Sequence, residues 1–202
     1  MSITGTPETG PTRSGIPSGD LGGGIFGALG VLAAIAERDR TGVGQHVDVS
    51  MLDVQISLLN YMATMYLMSG IVPEGIGNGH FVPVPYNSYP TSDGHIIIAC
   101  IGDPFFVRFV DCIGIDELRD PEYRKQPVRF AVKAQIDALV SAKLRENTTA
   151  YWLQLLSEAR IPCGPVNNFA QALSDPQVVA RVMVTEETMP DGERLRMPGN
   201  PV

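Results

Sequence analysis

The residues best suited to chemistry stand at Gly19-Asp20-Leu21-Gly22-Gly23-Gly24. Asp20 follows a Gly/Ser-rich approach and precedes an apolar run. Four of its five neighbours in this hexapeptide lack a Cβ, so a substrate can come close to the carboxylate and to the backbone amides. A carboxylate at a helix N-terminus is favoured in its ionised form by the helix dipole. Such a carboxylate can attack an acyl carbon while free amides stabilise the oxyanion. The other reading of Asp20 is a helix N-cap, a role in which Asp contributes about 1 kcal/mol. A dinucleotide fingerprint does not fit, because no strand leads into the segment and the glycine spacing differs.

A second candidate is GIGNGHFVPVPY, residues 75–86. It reads either as a surface turn or as a mobile glycine-rich flap of Gly77, Asn78 and Gly79, with His80 as a polar contact. Cys163, in Pro-Cys-Gly, has no histidine near it in sequence and reads as a structural cysteine. Cys100, Cys112 and Cys163 are odd in number, widely spaced and form no CxxC pair. Neither a zinc site nor a disulfide framework is indicated, and a reducing compartment is expected. No metal-ligand cluster appears. His46 and His95 are expected in strands, and Asp39 and Arg40 at a solvated helix end.

The chain has 15 Lys+Arg against 22 Asp+Glu, a net charge of −7, and only three lysines. That balance argues against nucleic-acid binding, which leaves a basic footprint. At 44% hydrophobic and 18% charged residues, the composition is that of a folded globular chain. The most apolar run, 25–36, is shorter than the roughly 20 residues a bilayer span needs. It and the run 51–68, interrupted by Asp53, Gln55 and Asn60, read as buried helices of a soluble protein with no membrane partner.

Twelve of the first 30 residues are Gly or Pro, so loop is expected as far as Gly22. A helix over 22–40 follows, apolar on nearly all sides and therefore expected to be buried. A short strand is expected over 46–51 and a single helix over 52–69. The stretch 70–91, with four prolines and four glycines, reads as a long functional loop. HIIIACI at 95–101 reads as a strand after the Ser92-Asp93-Gly94 turn. Helices are expected over 104–113, 129–145 and 149–160, the last capped by Thr148 or Thr149. Extended chain over 161–166, short helices near 168–173 and 176–182, and two strands around Pro190-Asp191-Gly192 complete the pattern.

Five segments resemble, in order, the class III coenzyme A transferases of the CaiB–BaiF family: SGDLGGG (18–24), ERDRTGVGQHVDVSMLD (37–53), GNGHFVPVPYNSYPTSDGHIIIA (77–99), IPCGPVNN (161–168) and DPQVVARVM (175–183). The resemblance implies an α/β fold: part of a Rossmann-like large domain plus a small α/β domain. Residues 1–69 would belong to the large domain and carry the catalytic aspartate. Residues 70–91 would be a linker with the glycine-rich loop, and 92–180 the small domain. Residues 181–202 would turn back toward the large domain, cut short. Two ring-shaped subunits of the full-length family form interlock as a homodimer. The catalytic aspartate falls on Asp20, with Gly22 and Gly23 beside it. The loop that shields the intermediates falls on Gly77, Asn78, Gly79 and His80, where many relatives carry Arg in place of Gly79. The implied reaction moves coenzyme A from an acyl-CoA to a small carboxylic acid. It passes through an aspartyl mixed anhydride and an aspartyl-CoA thioester. Coenzyme A serves as substrate, with no permanently bound cofactor.

The 2-methylacyl-CoA racemases of the same family share a similar Asp- and Gly-rich segment. Their glutamate would fall on Glu74, whose other reading is a solvated loop residue, and GDLGGG and YNSYPTSDG stand closer to the transferase pattern. In the family roughly the first third of the chain precedes GDLGGG and supplies most coenzyme A contacts, whereas 19 residues precede Asp20 here. A fragment, or a subunit that needs a partner, is therefore a third expectation, with exposed apolar surface on the helices 23–40 and 52–69 as its sign. A cytoplasmic location is expected, or a mitochondrial or peroxisomal one in a eukaryote.

Overall fold

Helix α1 (Ser18–Thr41) dominates the first part of the computed structural model, which describes residues 1–202. It begins four residues earlier than the glycines suggest, because Pro17 takes the N-cap position with a compatible φ of −76°. It ends at Gly42, whose φ of 75° suits a residue without a Cβ and whose N–H closes on the Arg38 carbonyl at 2.7 Å. Asp20 lies in the first turn and Arg38 and Arg40 in the last, so charge at both ends opposes the helix dipole.

The expected helix over 52–69 is two helices, α2 (Met51–Leu58) and α3 (Tyr61–Ser69). The break is at Asn60, which takes a φ of 49°, a region Asn tolerates better than most residues. Ser50 caps α2 by accepting from the Asp53 amide at 3.3 Å. The expected strand over 46–51 does not form. Val47 and Val49 are half-buried in alternation as a strand would have them, but no strand runs beside them. Val47 packs on α1 instead, where a Cβ on Gly30 would stand 2.8 Å from its Cγ1.

Within this chain α1 is not buried all round, contrary to expectation; Gly22 is its one buried residue. Ile25, Leu29 and Leu32 are 60–68% exposed, and Leu52, Leu67 and Met68 of the next two helices are also exposed. By length and composition α1 could cross a bilayer, which the run 25–36 taken alone did not suggest. Gly19, Gly22 and Gly23 of its first half pack on protein, against α2.

The chain divides into two compact units, Met1–Gly77 and Asn78–Val202. The second is built on an antiparallel sheet ordered β1 (Tyr86–Pro90), β2 (His95–Ala99), β3 (Cys163–Pro165). β1 lies inside the stretch expected to be loop. Pairing with β2 makes it a strand, in the register Tyr89 with Ile96 and Ser88 with Ile97. Prolines stand at both outer edges of this sheet: Pro85 and Pro90 at β1, Pro162 and Pro165 at β3. Ile96 and Ile98 point inward and Ile97 outward, the period of a half-buried strand.

The sheet is covered by α6 (Lys133–Leu144) and α7 (Thr149–Glu158), with α4 (Asp103–Ile113) packed beside α7 and α5 (Gln126–Ala131) beside α6. The single helix expected over 129–145 is broken at Val132, where φ is −117°. Phe106, Phe109 and Val110 of α4, Ile136, Val140 and Leu144 of α6, and Trp152 and Leu156 of α7 recur at three- and four-residue spacing and fill the core. Trp152 donates its Nε1–H to the Leu144 carbonyl at 2.8 Å. Thr148 caps α7 as expected. Two short helices, α8 (Phe169–Leu173) and α9 (Pro176–Ala180), precede the exposed hairpin β4 (Val184–Thr188) and β5 (Arg194–Pro198). The mixture of helices and sheet is the α/β class expected.

Candidate active site

Asp20 is the third residue of α1 and is exposed. It is not the N-cap, since Pro17 holds that position. Amides of a first turn have no partners within their own helix. The Asp20 carboxylate is therefore presented beside backbone donors. Gln55 of α2 lies over the same turn and donates from Nε2 to Ser18 Oγ at 3.3 Å. A Cβ on Gly19 would stand 3.0 Å from that nitrogen, so the missing side chain at 19 admits the amide. Gly22 and Gly23 face α2, where a Cβ would meet Val54 Cγ1 at 2.8 Å and Met51 Cγ at 3.3 Å respectively. They allow the two helices to approach closely.

These residues border an open cleft of about 580 Å³, within the range of small-molecule sites. Its polar lining comes chiefly from Arg13, Ser14, Ser18, Asp20 and Gln55, and Ile3, Ile16 and Leu58 are among its apolar walls. Asp20 is its only carboxylate side chain and Arg13 its only basic one.

The glycine loop is gripped closely. In the first unit, the Gly77 N–H donates to the Gly5 carbonyl at 2.7 Å, and Gly77 has a φ of 70°. Glu74 is exposed. In the second unit, a Cβ on Gly79 would stand 2.9 Å from Lys133 Nζ. Lys133 pairs with Asp137 at 2.6 Å, and Asp137 also accepts from Tyr89 Oη at 2.5 Å and Asn87 Nδ2 at 3.4 Å. His80 stacks on Tyr86 with centroids 4.9 Å apart, and its Nδ1 accepts the Val82 amide at 3.0 Å. Burial holds its pKa below the usual histidine value, in keeping with an imidazole whose Nδ1 is an acceptor.

Beyond His80 the chain is clamped by α5. Gln126 donates to the Val82 carbonyl and accepts from the Val84 amide. Arg129, fully buried, donates to Val84 O at 2.8 Å, Tyr123 O at 2.6 Å, Gln126 Oε1 at 2.5 Å and Asp103 Oδ1 at 2.8 Å. Its guanidinium also lies 4.4 Å over the Phe106 ring.

The cysteines take structural places. Burial pushes the Cys100 thiol up to about 12 and raises that of Cys112. Cys163 is half-buried with its Sγ 3.8 Å from Ser157 Oγ. His95 is exposed in β2, and His46 lies in the unpaired segment before α2. No group of three or more His, Cys, Asp or Glu side chains is placed to hold a metal.

The profile of CoA-transferase family III matches residues 1–202. The chain belongs to CoA-transferase family III. It is 35% identical over its whole length to the acetyl-CoA:oxalate CoA-transferase of Acetobacter aceti, covering 51% of that protein. It is 34% identical over 95% of its length to the succinate–glutarate CoA-transferase of Agrobacterium fabrum, covering 48% of it. A CaiB/BaiF family protein from Brucella suis has the same fold over the whole chain, with a TM-score of 0.82, 32% identity and 52% of that structure covered. The chain spans about half the length of the curated relatives it matches.

For this CoA-transferase family member, sequence reasoning singled out Asp20 and the loop glycines but missed Arg13, Gln55, Gln126 and Arg129. Gln55 left one usable signal, as a polar interruption of an apolar run. Arg13 left none within a loop of small residues.

Proposed function

We propose that this chain carries the nucleophile of a CoA-transferase acting between an acyl-CoA and a small dicarboxylic acid. The observation that carries this reading is Asp20, exposed in the first turn of α1 and bordering a cleft of suitable size. Support for the substrate class comes from relatives named for oxalate, glutarate and mesaconate, each a dicarboxylic acid.

The Asp20 carboxylate attacks the thioester carbonyl, and coenzyme A leaves as thiolate. A mixed anhydride is left on Asp20. The thiolate then attacks the aspartyl carbonyl, giving aspartyl-CoA and releasing the donor acid. A carboxylate of the acceptor attacks that thioester and expels the thiolate again. The thiolate finally attacks the acceptor's acyl carbon, which yields the new acyl-CoA and restores Asp20. Each tetrahedral intermediate puts negative charge on oxygen beside first-turn amides, where preorganised donors act most strongly. Gly77, Asn78, Gly79 and His80 form the loop that excludes water, and the working form is a cytoplasmic homodimer. Residues 1–69 contribute to its large domain and 92–180 to its small one.

The test is mass spectrometry of the protein incubated with a panel of acyl-CoAs and quenched with hydroxylamine. A hydroxamate at Asp20, absent from Asp20→Ala, is the expected result. Deuterium entering the α-carbon of a 2-methylacyl-CoA without exchange of coenzyme A would overturn the reading in favour of a racemase.

A further inference from the structure

We infer that Arg13 is a specificity-determining residue: its guanidinium binds the carboxylate of a dicarboxylic acid that does not react at Asp20. This rests on the transferase reading above and deepens it. Three observations meet in the Asp20 cleft. Arg13 is its only basic side chain. The guanidinium takes part in none of the eight ion pairs of the chain. The rest of the lining is neutral apart from Asp20 and the N-terminal Met1.

A dicarboxylate brings two negative charges to a chain with a net charge of −7 and to an aspartate that must be approached by one of them. Without Arg13 the cleft has no basic side chain left to meet the second charge. A guanidinium offers paired N–H donors in the geometry of a carboxylate, at roughly twice the strength of neutral hydrogen bonds. A monocarboxylic acid of equal length has nothing to place there. Arg13 thus separates diacids from monoacids and leaves the chemistry at Asp20 unchanged.

The experiment is titration calorimetry of glutarate and of pentanoate against the full chain and its Arg13→Gln and Arg13→Lys variants. Coenzyme A is titrated as a third ligand. Arg13 is exposed, and thermal midpoints are expected to match. Glutarate affinity should fall roughly 10- to 100-fold in Arg13→Gln, the loss expected for a hydrogen-bonded charged group. It should fall less in Arg13→Lys, with pentanoate unchanged. Equal changes for the two acids, no change, or a loss confined to coenzyme A would overturn the assignment, the last by showing that Arg13 meets a phosphate. Failure of the transferase reading shows separately, as no hydroxamate at Asp20 in the wild-type protein.

Discussion

Replacing Gly22 by Ala sets two effects of opposite sign against each other. In an open helix position the change stabilises by about 0.5–1 kcal/mol, because Gly loses more backbone freedom on folding. At Gly22 the added methyl would stand 2.8 Å from Val54 Cγ1 and 3.2 Å from Leu58 Cδ1. Ordinary carbon contacts are about 3.5–4.0 Å, so α2 must retreat by about 0.7 Å. Val54 is buried, and a β-branched side chain in a helix has one strongly preferred rotamer. It cannot swing aside. Overpacking of this kind costs about 1–3 kcal/mol, so a net loss of about 1 kcal/mol is expected. Gly24, with nothing within 4 Å of its own added Cβ, is the control and should gain about 0.5–1 kcal/mol. Thermal unfolding followed by helical circular dichroism should put the variants on opposite sides of wild type, each displaced by several degrees. Gly22→Ala combined with Val54→Ala should lose less than the sum of the single changes, with a coupling of about 0.5–3 kcal/mol. A Gly22→Ala midpoint raised as far as that of Gly24→Ala would refute the close packing of α1 on α2.

Arg129→Ala removes a buried cation from four oxygen partners and should cost about 3 kcal/mol or more in urea unfolding. Asp103→Asn, at the half-exposed end of the pair, should cost about 1 kcal/mol or less. Leu144→Ala should cost about 2–5 kcal/mol, and Trp152→Phe at least the roughly 1 kcal/mol of its hydrogen bond to Leu144. Asp93 is held below its usual pKa, chiefly by the backbone amide of Thr149 and then by that residue's hydroxyl. A depressed carboxylate stabilises the fold above its unfolded value, and the contribution is lost as pH falls through the folded one. The midpoint gap between wild type and Asp93→Asn should therefore be full at neutral pH and close in acid, which a series of melts from pH 7 downward would show. In native alkylation at pH 8, Cys100 should remain unmodified until the protein unfolds.

Local signals carried their share of the fold. Ile96 and Ile98, the cap at Thr148 and the stripes of α6 and α7 are set within a few residues of themselves and were legible. The break at Asn60 was not, because Asn fits the apolar period around it only as one polar residue. β1 was hidden because Asn87, Ser88 and Pro90 are poor strand formers, and its strand character comes from β2. The site divides in the same way. Asp20 was marked by its glycines, whereas Arg129 serves a carbonyl 45 residues away and Gln55 a hydroxyl 37 residues away. Their roles depend on pairings that no local window contains.

The prolines bordering the three-stranded sheet have a consequence for how the protein fails. An outer strand normally offers its unused N–H and C=O groups as a template, and edge-to-edge stacking of sheets begins there. Proline has no N–H to offer and fixes its own backbone. Pro90 blunts one margin and Pro165 the other, whereas Pro85 and Pro162 give their carbonyls inward to Cys100 and Ala99. Fibril growth from this sheet is thereby discouraged at its starting points. Precipitation of overexpressed or heat-stressed protein should accordingly be amorphous and driven by the oily helices, and detergent or mild chaotrope should redissolve it.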